Sequence, residues 1–161
     1  MSLVFVTVGS TRFDSLVEKV CSQELLAVFE KLGYSRLVVQ YGKSCAQFTA
    51  TNSVNFSVSG FDYKSSLDSY YDSAELVISH AGSGSILNAL RREKKLVVVS
   101  NQSLMDNHQQ ELAQELADLG VLVQSSVSTL ASSLNNINSV TLKKFPPQNS
   151  SAVKSLFQNI L

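Results

Sequence analysis

Glu75-Leu76-Val77-Ile78-Ser79-His80-Ala81-Gly82-Ser83-Gly84-Ser85-Ile86-Leu87 is the stretch whose reading decides the fold. Glu75 to Ser79 reads as a buried strand, and His80 to Ser85 as a turn of small residues. Ile86, Leu87 and Leu90 then mark the apolar face of a helix. Arg91, Arg92, Lys94 and Lys95 follow, the sign of charge that suits a helix C-terminus. A strand that passes through a glycine turn into a helix is the repeating unit of a doubly wound sheet.

The same unit recurs on both sides of this stretch. Leu3 to Val8 is a continuous apolar, β-branched run that ends at Gly9, as expected of a strand buried on both faces. Ser15 and Glu18 form a capping-box pattern. Val17, Val20, Cys21, Leu25, Val28, Phe29 and Leu32 then recur at helical spacing, which predicts one long helix stopped by Gly33. Arg36 to Tyr41 reads as a second strand, and Phe48 to Val58 as a strand pair or sheet edge. A short helix is expected over Leu67 to Tyr71. Leu96 to Val99 is a further strand. A helix capped by Asp106 or Asn107 carries Leu112, Ala113, Leu116 and Leu119 to Gly120, and Val121 to Val123 makes a last short strand. Residues 125–139 are Ser/Asn-rich, with weak helical spacing at Leu130 and Leu134. After Pro146-Pro147 a final helix would present Val153, Leu156, Phe157 and Ile160 on one side. The fold class expected is α/β: one Rossmann-like domain over residues 1–145, mostly parallel, with helices on both faces, followed by an amphipathic tail over 146–161.

The 161 residues balance 13 basic against 13 acidic side chains. Zero formal net charge argues against a broad electrostatic nucleic-acid footprint and against a polybasic membrane patch. Cys21 and Cys45 are the only cysteines and lie in no C-x-x-C pair, so neither a disulfide framework nor a zinc site is expected. Unpaired thiols suit a reducing compartment such as the cytosol. The run Leu3 to Val8 is too short to be a signal peptide or a membrane span.

Ligands of doubly wound folds bind beyond the carboxyl ends of the strands. Three polar loops leave such ends. In the first, Gly9-Ser10-Thr11-Arg12, glycine permits close backbone approach and Ser10 and Thr11 offer hydroxyls; an ordinary capped turn accounts for it equally. In the second, His80 to Ser85, small residues open the start of a helix whose first N–H groups are unpaired and partly positive. A phosphate or diphosphate is the natural ligand there, with Ser83 and Ser85 as added donors. The alternative is a turn required only for packing, with His80 a satisfied core histidine. The third, Ser100 to Gln109, is dense in amides, as sugar-reading loops are; a solvated loop with an Asp106 cap remains open.

Other motifs fail on their own terms. Gly42-Lys43-Ser44 looks like the end of a P-loop, but Leu37 stands where that pattern needs glycine, so the segment reads as a solvated turn. Gly-x-Gly-x-x-Gly is absent after the first strand, and the second ends near Gln40 without an acidic residue, which argues against a dinucleotide oxidoreductase. Gly84 occupies the serine position of a nucleophile elbow. No Asp-x-Asp pair is present to hold a metal on a diphosphate, so the helix start would supply most of the countercharge.

Val4 to Thr11, Val77 to Ser85 and Leu104 to Gln110, taken in that order, resemble the C-terminal, donor-binding half of GT-B glycosyltransferases of family 28, the group of the bacterial peptidoglycan UDP-GlcNAc transferase. Within it the chain is most similar to the small catalytic subunits of the eukaryotic UDP-GlcNAc transferase that adds the second sugar to the dolichol-linked oligosaccharide precursor. The resemblance implies roles. Gly9, Ser10 and Thr11 would face the diphosphate of UDP-GlcNAc, and Gly82, Ser83, Gly84 and Ser85 would cradle it. Asn88 takes a ribose-contacting position that is commonly acidic in the family. Asn101 would approach the donor, and Asp106, Asn107, His108 and Gln109 span the sugar-contacting segment. Gly60, Phe61 and Tyr63 match a segment near the uracil. The general base is not identified; His80 is a candidate by its chemistry alone. No cofactor is required by this reading, and no metal ligands are expected. The resemblance further implies a membrane-anchored partner subunit that binds the lipid-linked GlcNAc acceptor and recruits a cytoplasmic chain to the cytosolic face of the endoplasmic reticulum. A nucleotide-binding regulatory or structural subunit without transfer activity is the alternative.

Overall fold

The computed structural model describes residues 2–101 and 107–145, the second segment from residue 109 onward for side chains. Seven strands form one sheet: β1 (Leu3–Thr7), β2 (Arg36–Gln40), β3 (Thr51–Asn52), β4 (Ser57–Phe61), β5 (Ala74–His80), β6 (Lys95–Val99) and β7 (Val123–Ser125), in the order β3-β4-β2-β1-β5-β6-β7. All neighbours pair in parallel except β3 with β4. The helices are α1 (Asp14–Val20), α2 (Gln23–Lys31), α3 (Asp68–Ser73), α4 (Ser83–Arg91), α5 (Asn107–Asp118) and α6 (Leu130–Asn135). This is the expected doubly wound α/β domain.

Each central strand alternates its side chains between two cores, as the period of a strand requires. Val4, Val6, Val8, Leu76, Ile78, Val97 and Val99 join α1, α2 and α6 on one face. Leu3, Phe5, Val77, Leu96 and Val98 join α3, α4 and α5 on the other. Near-continuous apolar strands follow from burial on both faces.

The single helix predicted from Ser15 to Leu32 is two. Ser22 divides it: its hydroxyl donates to the Lys19 carbonyl at 2.6 Å and accepts from the Leu25 N–H at 3.3 Å. One side chain thus closes α1 and caps α2, a competition with the helix ladder that serine is suited to win. Nor does Ser15 cap the first helix. α1 begins at Asp14 with no local side-chain cap. Instead the buried Ser44 hydroxyl accepts the Phe13 N–H at 2.8 Å. The Gly42-Lys43-Ser44 turn is therefore docked on the first loop, and the solvated reading of it is corrected at Ser44. The last strand starts at Val123 rather than Val121, because Val121 and Leu122 are buried in the second core before pairing begins. Leu119, expected on the buried helix face, is 43% exposed.

The chain steps from β1 outward to β2 and β4, then returns to lay β5 on the other side of β1. The order reverses there, and a crevice at that switch point is where such sheets bind ligands. Register aligns the strand ends. Gln40, Thr7 and Ser79 lie in one row across the sheet, with Phe61 beyond Gln40. The loops that follow all four strands leave from one level.

Candidate diphosphate site at the switch point

His80 sits between the first two loops. A Cβ on Gly9 would lie 2.6 Å from His80 Nε2, and one on Gly82 would collide with His80 Cε1. Glycine is required at both places because the imidazole fills the space a side chain would need, and Gly9 also takes φ +64°. The Gly82 N–H donates to His80 Nδ1 at 3.1 Å. With Nδ1 accepting, the neutral ring carries its proton on Nε2, which points to Ser85 Oγ at 3.3 Å. Burial lowers the His80 pKa to about 4. His80 is therefore a neutral wedge with both nitrogens engaged, a poor arrangement for taking a proton from a substrate.

α4 starts beyond this wedge. Gly82 is its N-cap and offers no side-chain cap. The first helical bond of the ladder is from the Ile86 N–H to the Gly82 carbonyl at 3.0 Å. The N–H groups of Ser83, Gly84 and Ser85 make no hydrogen bond among the described residues. They converge on an end of the helix that is electropositive by its dipole. A Cβ on Gly84 would meet nothing within 4 Å, so the helix start is open beside that residue. The Ser85 hydroxyl faces inward. It lies 3.3 Å from His80 Nε2. Ser83 is left as the hydroxyl donor of this loop.

In the first loop, the Thr11 N–H and hydroxyl both go to the Val8 carbonyl, at 3.3 and 2.7 Å. The Gly9 N–H goes to Gln40 Oε1 at 2.9 Å. Ser10 is exposed, and neither its N–H nor its hydroxyl is bonded among the described residues. Of the three residues expected to face a diphosphate, Ser10 alone keeps its donors. Asn101 donates from Nδ2 to the Arg12 carbonyl at 3.1 Å, tying the loop after β6 to the first loop. Asn88 lies on α4 one turn past Ser85, where its Oδ1 accepts from Arg92 Nη1 at 3.4 Å. Arg92 is also paired with Asp68 and Asp72. Gln109 is half-buried in the first turn of α5, with Asn107 and His108 in the same turn by backbone. Asp106 and the tail face of Val153, Leu156, Phe157 and Ile160 lie outside the described residues.

Beside the first loop, Gly9, Ser10, Gly42, Lys43, Asp62 and Tyr63 line a cavity of about 240 Å³. Tyr63 is 70% exposed there. Phe61 turns inward and its ring lies 4.8 Å from that of Tyr70, while Gly60 is held against the Val39 carbonyl and the Phe48 ring. The segment expected near the base therefore splits between cavity wall and core. Sequence reasoning missed Gln40, Ser44 and Asp62. The signal that could have found Gln40 was a carboxamide ending an otherwise apolar strand. Among the described residues no cluster of three metal-ligating side chains occurs, and no helix is long and apolar enough to cross a membrane.

A model of the glycosyltransferase family 28 C-terminal domain matches residues 3–160. The chain belongs to that family. Among similar family members is the UDP-N-acetylglucosamine transferase subunit ALG13 of Eremothecium gossypii, 34% identical over 186 residues that cover 98% of this chain and 92% of that one. The Homo sapiens protein of the same name is 45% identical over 122 residues, 76% of this chain. The chain spans only 11% of the length of the human and mouse relatives. Of solved structures, the NMR solution structure of ALG13 matches with a TM-score of 0.68 at 28% identity, covering 99% of this chain and 94% of that one. The Acinetobacter baumannii MurG crystal structure matches with a TM-score of 0.62 at 20% identity, over 84% of this chain and 40% of MurG, a likeness of fold. The family 28 domain thus has the GT-B-type architecture expected of it.

Proposed function

We propose that this chain is the donor-binding subunit of a UDP-GlcNAc-dependent glycosyltransferase, and that it transfers GlcNAc to dolichyl-diphosphate-GlcNAc when joined to an acceptor-binding partner. The observation that carries the reading is the open start of α4 at the switch point, where three neighbouring N–H groups lack partners. Relatives named as UDP-GlcNAc transferase subunits supply the donor class.

In this proposal Ser83, Gly84, Ser85 and Ser10 donate to the diphosphate. The acceptor 4-hydroxyl attacks the anomeric carbon with inversion, the bond from that carbon to the diphosphate oxygen breaks, and UDP leaves. Negative charge grows on the diphosphate, and donors already aimed at it lower the barrier without reorganising. Asn88 meets the ribose, and the segment 106–109 reads the sugar. The base that takes the acceptor proton lies on the partner or on the acceptor side of the cleft, since the ring nitrogens of His80 are engaged. The partner also supplies attachment to the membrane carrying the lipid-linked acceptor, at the cytosolic face of the endoplasmic reticulum.

The test is co-expression with a membrane-anchored acceptor subunit, followed by transfer of labelled GlcNAc to a lipid-linked acceptor, with calorimetry of UDP and UDP-GlcNAc beside it. Transfer by the pair with UDP binding is expected. Absence of UDP binding even with the partner present would reject the reading, and binding without transfer would leave a regulatory subunit.

A further inference from the structure

Gln40 ends β2 at the row where the site loops depart, and its side chain is 1% exposed. A buried carboxamide must have its donors and acceptor satisfied. Here Oε1 accepts from the Thr7 hydroxyl at 2.6 Å, the Gly9 N–H at 2.9 Å and the Val8 N–H at 3.2 Å. Nε2 donates to the Gly9 carbonyl and to the Asp62 carbonyl, both at 2.7 Å. One amide therefore grips both main-chain groups of Gly9 and fastens the loop after β1 to the loop after β4.

We propose that Gln40 is a positioning residue of the diphosphate site: it occupies the Gly9 N–H, fixes the left-handed turn at Gly9, and thereby aims Ser10 as a donor to the ligand. This rests on the diphosphate reading above. A side chain that both accepts and donates is needed. A carboxylate at position 40 would keep the acceptor but face two carbonyls without a hydrogen, and an apolar residue would strip the Gly9 carbonyl of its partner, leaving the Gly9 N–H only the Thr7 hydroxyl at 3.3 Å and the Asp62 carbonyl only the Gly42 N–H at 3.2 Å. A one-methylene-shorter asparagine would not span the same partners. The arrangement also separates two jobs that the Gly9-Ser10-Thr11 stretch could have shared. Gly9 and Thr11 hold the loop together, and Ser10 is left to meet the anion.

The test uses the 161-residue chain in two ways. In wild type, amide hydrogen exchange and chemical shifts are followed by NMR with and without UDP. The Gly9 N–H and the Gln40 side-chain amide should be protected before ligand is added and should stay so, while Ser10 shifts on titration together with Ser83 to Ser85. A Gly9 amide that exchanges freely in the unliganded protein, or that takes over from Ser10 on titration, overturns the proposal. Second, Gln40→Met is expected to weaken UDP binding about tenfold. In a Ser10→Ala background the same substitution should weaken it only about threefold, because residues acting through one another are not additive. Equal losses in the two backgrounds would show that Gln40 acts only on the fold, and no loss at all would remove it from the site. If Gln40→Met does not fold, the wild-type measurement decides alone. Failure of wild type to bind UDP would instead strike the diphosphate reading, while the protection of Gly9 and Gln40 is measured without ligand.

Discussion

Gly84→Ala separates stability from ligand binding in opposite directions. The methyl group meets no atom within 4 Å, and Gly84 has no left-handed backbone to protect. It sits in the first turn of a nine-residue helix. Replacing glycine by alanine in a helix stabilises by about 0.5–1 kcal/mol. For a domain of this size that raises Tm by roughly 1–4 °C. The same methyl group leans toward the N-terminal end of α4, as Cβ atoms on helices do. It therefore enters the space in front of the Ser83, Gly84 and Ser85 N–H groups, where the diphosphate would lie. Losing one charge-assisted hydrogen bond costs about 1.5–3 kcal/mol. UDP affinity should fall by roughly ten- to a hundredfold. Thermal melting and calorimetry on one preparation read both effects. A Gly84→Ala protein that melts higher yet binds UDP as wild type does would refute the anion site, since no fold defect could be blamed. A lower Tm would instead contradict the open space seen at Gly84.

The neighbouring glycine should behave differently: Gly82→Ala drives a methyl group into the His80 ring, so both stability, by about 1–3 kcal/mol, and UDP affinity should drop together in the same two assays. Ser22→Ala removes the side chain that divides α1 from α2, and should lower the stability measured by urea unfolding by about 1 kcal/mol with UDP affinity unchanged. Asn88→Glu puts a charge beside Arg92 at the position proposed to meet the ribose, and should tighten UDP several-fold without changing pyrophosphate binding, as competition calorimetry would read. His80 gives a pH signature: burial holds it near 4 against 6.5, so between those values the unfolded chain binds more protons and stability rises with pH. Acidification from 6.5 to about 4 should therefore remove up to about 3 kcal/mol, with a shallower slope in His80→Gln, measured by denaturant titration across that range.

The strands were legible because burial on both faces leaves runs such as Leu3 to Val6 with no polar interruption. The β5–α4 turn was legible because only small residues serve there. What escaped was non-local. Ser44 caps α1 from 31 residues away, so no spacing within the helix announces it, while Ser15 supplied a local pattern that the fold does not use. Ser22 was overlooked because apolar periodicity runs through Cys21 and Leu25 as though the helix were unbroken. The division of labour among Gly9, Ser10 and Thr11 was equally invisible. It depends on where Gln40 and the Val8 carbonyl lie, not on the residue types in the loop.

The groups that hold this crevice in shape are neutral: the Gln40 amide, the Thr7 hydroxyl and the His80 imidazole. That neutrality has a physical reason under the diphosphate reading. A buried carboxylate in any of these places would oppose an incoming dianion through a medium that screens poorly. A buried cation would have to be desolvated and held unpaired whenever the site is empty. Main-chain dipoles avoid both outcomes. They remain uncharged when the site is empty, and their pull grows with the charge that develops on the leaving group. Protonated at Nε2 and blocked at Nδ1, His80 fits this scheme as a neutral spacer, and burial disfavours its charged form.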